Sequence, residues 1–390
     1  MKKQTWHAAC MAAACALALV IGCSSEPEPV AVERVTLNER TLTLSPGMTR
    51  KLTATVKPDN ADDTTVTWSS SDTSVATVDN NGTVTAVSKG TATITAQAGD
   101  KQVTCLVTVR TEHSYSGGKC TVCGAKPKMD NGTIDDNGVL TKYSGNEATV
   151  TIPEGVTRIT WSVFWNCTNL ESVTIPGSVT SIGSSAFKGC TSLKNVEIPD
   201  SVTSIEDSAF SNCTSLESVD IGEGVTSIGK YAFNECTSLT SVTIPGSVTS
   251  IGNNAFSNCT NLTSVEIGGG VTSIGKYAFN WCTSLTSVKI PDKVTSIGEF
   301  TFSNCTNLTS VEIPNNVTRI ERNTFYFCKS LASVTIPVSV TYIGVQAFSS
   351  CTNLTTINYA GTEEQWDAIT KDSSWDKGAG SYAITYNYKE

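Results

Sequence analysis

Histidine is nearly missing from this chain of 390 residues: there are two, His7 and His113. A serine or cysteine nucleophile that relies on an imidazole base has almost no partner here, and no GxSxG elbow presents a serine for that role. Charge is sparse as well, at 16% of residues, with 27 basic side chains against 36 acidic ones. An acidic chain repels phosphate backbones and anionic headgroups, which argues against nucleic acid or anionic lipid as the main partner. Beyond residue 22 no apolar run approaches the length that crosses a bilayer. No motif marks a pair of carboxylates for acid–base work. Composition therefore points away from an enzyme.

What the chain has in abundance is repetition. Residues 216–234 read LESVDIGEGVTSIGKYAFN, and the same phrase recurs between residues 150 and 359 in steps of 23 residues. Phenylalanine falls at Phe164, Phe187, Phe210 and onward to Phe348, and cysteine follows three residues later from Cys167 to Cys351, giving nine copies. A period in this range marks a solenoid, in which no unit buries its own apolar face and stacking supplies the core. The first half of the unit alternates: Leu170, Val173 and Ile175 point inward, Ser172 and Thr174 outward, as in a half-buried strand. Proline or glycine closes the strand, at Pro176, Pro199, Gly222 and their equivalents, and a turn follows. In the second half Val179, Ile182, Phe187 and Cys190 are more widely spaced, which predicts a compact turn or short helical segment rather than a second long strand. Stacked at ~4.8 Å per repeat, the array would form a rod roughly 40 Å long.

The repeat cysteines sit beside core phenylalanine in AFxxC frames, so they read as a ladder of packed thiols rather than as disulfides or metal ligands. The runs GVTSIGKY at residues 224–231 and 270–277 nearly spell a phosphate loop, but they end in tyrosine and place Val225 and Ile228 at core positions, so that reading is rejected. Asn166, Asn212, Asn258 and Asn304 each start an NxT sequence, which follows from the repeat frame. Two surfaces remain for a partner. The strand face presents the outward column Thr174, Glu197, Asp220, Thr243, Glu266, Lys289, Glu312 and Thr335, the pattern of a solvated sheet. The turn face carries aromatics at variable positions, among them Trp161 and Trp165. Tyr231, Tyr277, Trp281, Phe300, Tyr326 and Phe327 are the candidate ligand-binding residues, because exposed aromatics anchor protein or sugar recognition unless they fill gaps between repeats.

The unit, written LxSVxIPxSVTSIGxxAFxxCTS, resembles the leucine-rich repeat and more specifically its BspA-like subclass. The resemblance implies a leucine-rich β-solenoid with one parallel strand per turn. The usual asparagine position instead holds Ser178, Ser201, Gly224, Ser247, Gly270, Lys293, Asn316 and Ser339, so a continuous asparagine ladder is not implied. Two 46-residue blocks, 222–267 and 268–313, are nearly identical, so shared residues within them report duplication before they report binding.

The other segments flank this array. Residues 1–22, with Lys2, Lys3 and an apolar run, read as a secretory leader, and the sequence ending at Cys23 resembles a lipobox, which implies lipid attachment to Cys23. Residues 23–33 form a polar tether. Residues 34–110 are rich in alternating threonine, valine and serine, with a hairpin signal at Asp79 to Gly82, where Asn-Gly suits a tight primed turn, and Trp68 as core aromatic. This stretch resembles the bacterial Ig-like domain, group 2, which implies a stiff spacer. In the linker, residues 111–148, Cys120 and Cys123 have CxxC spacing, and His113 would be a third zinc ligand. A fourth is missing, so a disulfide or a vestigial motif outweighs metal and no cofactor is expected. The repeats run over residues 149–359. Residues 360–390 close the stack, with a Thr362–Gln365 capping box, Trp366 and Ile369, and a last strand over residues 382–388.

The expected fold is thus mostly β: an N-terminal Ig-like β-sandwich followed by a solenoid of nine 23-residue units with a small C-terminal cap. The resemblance implies a bacterial cell-surface lipoprotein of the outer membrane, extracytoplasmic and held to the membrane by its lipid alone. It would act as a non-enzymatic adhesin that binds host matrix or cell-surface proteins. The alternative is a surface glycan-capture lipoprotein working in nutrient uptake, with Tyr277 and Trp281 stacking on sugar rings.

Overall fold

The computed structural model describes residues 30–110, 115–121 and 124–389; the leader, Cys23, His113 and Cys123 lie outside the described residues. The chain divides into two compact units, one ending at Thr111 and the other beginning at Glu112. Among the described residues no helix is long and apolar enough to cross a membrane.

In the first unit the β-branched alternation becomes a sandwich. Gly90–Ala98 and Lys101–Val109 form a long hairpin, flanked by Thr67–Ser70 on one side and, in parallel, by Thr41–Leu44 on the other. Thr49–Lys51, Thr83–Ala86 and Ala76–Val78 make a second sheet. Leu44, Leu52, Val84, Ile94 and Val107 from both sheets share one core. Trp68 is half-buried and packs against two apolar clusters. The Asp79–Gly82 connection is not the tight primed turn that Asn-Gly suggests: within it only Gly82 takes a positive φ, 81°. The Asp79 carboxylate accepts from the N–H groups of Asn81 and Thr83, at 2.9 and 2.7 Å, and so holds a wider turn. The Thr83 N–H foremost keeps that carboxyl below its usual range.

In the second unit the alternating half of each repeat forms strands such as Ser218–Ile221, Ser241–Ile244 and Ser264–Ile267, each exposed and buried by turns. They pair in parallel with no slip, Ser241 to Ser264 and Ile244 to Ile267, in 4-stranded and 7-stranded runs that make a solenoid of about eleven turns. The other half of the repeat holds no helical segment. Two-residue strands, Ser227–Ile228 and Ser250–Ile251 among them, build a second parallel sheet. Consecutive turns follow, with N–H groups that alternate in direction. Ala255 N–H donates back within its repeat to the Gly252 carbonyl, while Phe256 N–H donates forward to Ala278 of the next repeat. A helical i→i−4 ladder cannot form when every other donor leaves the repeat.

Inside, the phenylalanines from Phe164 to Phe348 stack nearly parallel, with centroids 4.8–5.6 Å apart and tilts of 2–11°. Beside them each thiol from Cys190 to Cys351 donates to the phenylalanine carbonyl of the preceding repeat, at 3.1–3.3 Å. Serine takes over at the asparagine position: the hydroxyls of Ser178, Ser201, Ser247 and Ser339 donate to valine carbonyls of the preceding repeat at 2.6–2.8 Å. Threonine columns do the same, as in Thr249 to Thr226 at 3.2 Å and Thr272 to Thr249 at 3.1 Å.

Both ends of the stack are covered. The hairpin of Gly132–Ile134 and Val139–Tyr143 sets Tyr143 on Phe164, centroids 4.9 Å apart. At the other end Thr362 and Gln365 form a capping box on the helix Glu363–Asp367, burying Trp366, and Trp375 meets Phe348 edge-on at 6.0 Å. The last strand is Ala383–Thr385, shorter than the alternation over 382–388 suggests, and Asn387 beyond it takes a positive φ of 53°.

Candidate ligand-binding surfaces

Along the turn ridge each repeat holds two residues in the left-handed conformation, four apart in sequence. One column contains Ser185, Ser208, Tyr231, Asn254, Tyr277, Phe300, Asn323 and Gln346, and the other Asn212, Glu235, Asn258, Trp281, Asn304, Phe327 and Ser350. The hydrogen bonds of the stack impose this geometry. Tyr277 N–H donates to the Glu299 carbonyl at 3.0 Å and Trp281 N–H to Ser303 at 2.9 Å, each in the next repeat. Asparagine and glycine suit such positions, whereas bulky side chains are costly there. Yet Tyr231, Tyr277, Phe300, Trp281 and Phe327 all sit at φ of 57–61°.

These aromatics are partly gathered. Tyr277 stacks on Phe300 with centroids 4.6 Å apart, and the Arg322 guanidinium lies 5.6 Å from the Phe300 ring. Tyr326 packs against Phe327 at 5.9 Å, with the Lys329 ammonium 4.3 Å from the Phe327 ring. Trp281 and Tyr231 are 47% and 44% exposed, and among the described residues neither ring meets another aromatic ring. The six candidates omit Trp161 and Trp165, which are 75% and 57% exposed. Their signal was available in the sequence, since each directly precedes a left-handed position, Ser162 or Asn166.

The strand face is polar. Glu197 and Asp220 face each other in register, as do Glu266 and Lys289. A shallow depression of about 350 Å³ lies over Glu197, Ser218, Asp220 and Thr243. Cys120 is buried on the small hairpin of Tyr115–Ser116 and Lys119–Cys120. Its candidate co-ligands His113 and Cys123 lie outside the described residues, and no cluster of three metal-binding side chains occurs among the described ones. Burial pushes the thiols of Cys213, Cys259 and Cys305 up to about 12, far from a nucleophilic state.

Comparison with known proteins agrees with this architecture. The family described as a bacterial Ig-like domain (group 2) matches residues 31–107. An uncharacterised protein of Clostridium acetobutylicum is 48% identical over 73 residues, 19% of this chain and 8% of that protein. An alpha-L-arabinofuranosidase of Bifidobacterium longum subsp. longum is 54% identical over 70 residues, 18% of this chain and 7% of the enzyme. The matched stretch thus spans less than a tenth of these curated relatives. Among solved structures, a leucine-rich repeat protein from Bacteroides ovatus is 30% identical over 61% of this chain and 66% of that one, with a TM-score of 0.46. Both matched families are binding-type domains typical of bacterial surface proteins. The BspA type leucine rich repeat region matches residues 142–263 and 249–369, more than half of the sequence, and the chain belongs to that family.

Proposed function

We propose that this is a non-enzymatic, lipid-anchored surface protein that binds a host matrix or cell-surface protein through the aromatics of its turn ridge, with the Ig-like unit serving as spacer. The observation that carries this reading is the placement of Tyr231, Tyr277, Trp281, Phe300 and Phe327 at left-handed positions. A bulky residue there costs on the order of 1–3 kcal/mol, and such strain concentrates at binding sites. A gap filler would be buried, whereas Trp281 is 47% exposed and offers the aromatic surface on which protein recognition commonly turns.

The test compares the full chain with a Trp281→Asn, Phe327→Asn double variant on immobilised matrix proteins such as collagen and laminin. Asparagine tolerates the left-handed backbone, so the variant is expected to lose binding at least tenfold while gaining about 1 kcal/mol in denaturant stability. A variant that binds unchanged, or that loses stability along with binding, would show the aromatics to be packing residues and refute the reading.

A further inference from the structure

The second sheet carries a groove that the turn-ridge reading does not use. In the successive repeats that hold Gly252, Gly275 and Gly298, the residue after the two-residue strand has no side chain. A Cβ there would lie 2.5–2.6 Å from backbone of the preceding repeat, at Gly229, Asn253 and Lys276, so these repeats stack too closely for a side chain, whereas Glu206 and Glu321 hold the same position in others. The consequence is a channel between two rows of side chains, closed at one end where the same position holds Glu321. Its volume is about 470 Å³, and its lining includes Asn253, Ser273, Lys276, Ser296, Glu299 and Glu321.

The chemistry of the channel is polar but balanced. The Lys276 ammonium lies 3.3 Å from the Glu299 carboxylate, and Glu321 accepts from Arg319 Nε at 2.8 Å, so no unpaired charge waits for an anion or a cation. Among the described residues no hydrogen bond engages the Ser273 or Ser296 hydroxyl. The strands beneath are paired with their neighbours, Ser273 with Ser250 and Ser296 with Ser273. Between these strands the floor has no open backbone row for an extended peptide to join; the sheet breaks only beyond Ser296–Ile297. Immediately after Lys276 and Glu299 in the sequence come Tyr277 and Phe300, whose rings stack on each other. Unengaged hydroxyls, a side-chain amide, neutralised charges and the apolar edges of Ile251, Ile274 and Ile297 match a ligand with hydroxyls on its rim and C–H groups on its faces.

We infer that this groove binds a neutral oligosaccharide, lying across the repeats that hold Asn253, Lys276 and Glu299. This site stands independently of protein binding by Trp281 and Phe327.

Calorimetric titration of the full chain with cellohexaose, xylohexaose, laminarihexaose, maltohexaose and N-acetylchitohexaose tests it, with a heparin hexasaccharide as the anionic arm. At least one neutral hexasaccharide is expected to bind. A Ser273→Leu, Ser296→Leu variant, which fills the floor, should weaken that binding by about tenfold or more. Ser204→Leu, in the same column away from the groove, should leave it unchanged. Circular dichroism checks each fold; if the leucine pair misfolds, Asn253→Asp, which keeps the oxygen that accepts from the Lys276 N–H at 2.9 Å and removes the amide donor, carries the test with the same expected direction. Binding of none of the neutral sugars, of heparin alone, or undiminished binding by the groove variants would overturn the assignment.

Discussion

At the scale of the residue, the thiols from Cys190 to Cys351 are packed in the core and hydrogen-bonded there as well. Each ladder cysteine acts as a hydrogen-bond donor: Cys259, fully buried, gives its S–H to the Phe233 carbonyl at 3.2 Å, and burial pushes its ionisation from 9.0 up to about 12. Because the folded protein holds this proton more tightly than the unfolded chain, the contribution is fully present below about pH 9 and is lost as pH rises toward 12. Replacing Cys259 by alanine should cost about 1–2 kcal/mol at neutral pH, from the lost contacts and the small void. The gap between parent and variant should then narrow between about pH 9 and pH 12 in denaturant titrations. A constant gap would mean that the thiol works by volume alone and that its proton is irrelevant. Thiol labelling of the native protein, mapped by mass spectrometry, should spare Cys190 to Cys351 and, within the ladder, reach half-buried Cys167 at its first rung.

At the scale of the element, glycine decides how closely repeats approach. Gly252 and Gly246 lie in the same repeat, but a Cβ on Gly252 would meet the Gly229 backbone at 2.6 Å, while on Gly246 it would meet nothing within 4 Å. Gly252→Ala should therefore destabilise by about 1–3 kcal/mol, and Gly246→Ala should be neutral or stabilise by about 0.5 kcal/mol; equal effects in denaturant unfolding would refute stacking as the reason for the glycine column. The sequence made some of these elements plain and hid others. Alternation at Val173 and Ile175 announced the long parallel sheet, since side-chain period follows the strand directly. The second sheet stayed hidden because two residues such as Ser250–Ile251 carry no period. The asparagines at 212, 258 and 304 look like glycosylation signals, yet they mark left-handed positions. With that frame known, the aromatics in the same columns become visible as costly choices. The groove was illegible for a further reason: its floor is built from what glycine lacks, and its lining comes from residues one period apart.

At the scale of the whole solenoid, stability is a chain of nearest-neighbour interfaces, and the ends are where it opens first. The capping box at Thr362 and Gln365 was readable because its two partners lie within one turn. The contact that completes the C-terminal end was not, because Trp375 stands 27 residues after Phe348 and so falls outside the 23-residue frame, while its carbonyl accepts the Phe348 N–H at 2.7 Å. If the array behaves as coupled neighbours, Trp375→Ala should cost about 2–4 kcal/mol at that end alone. Hydrogen exchange should show protection falling around Phe348 and Phe325 and fading toward Phe233, whose stacking partners are Phe210 and Phe256. The central repeats would keep their protection because their interfaces are intact and opening must propagate inward one repeat at a time. Uniform loss from Phe164 to Phe348 would instead mean that the stacked phenylalanines and thiols bind the array into a single cooperative block, so that a change at the cap would reach the candidate surfaces at its centre.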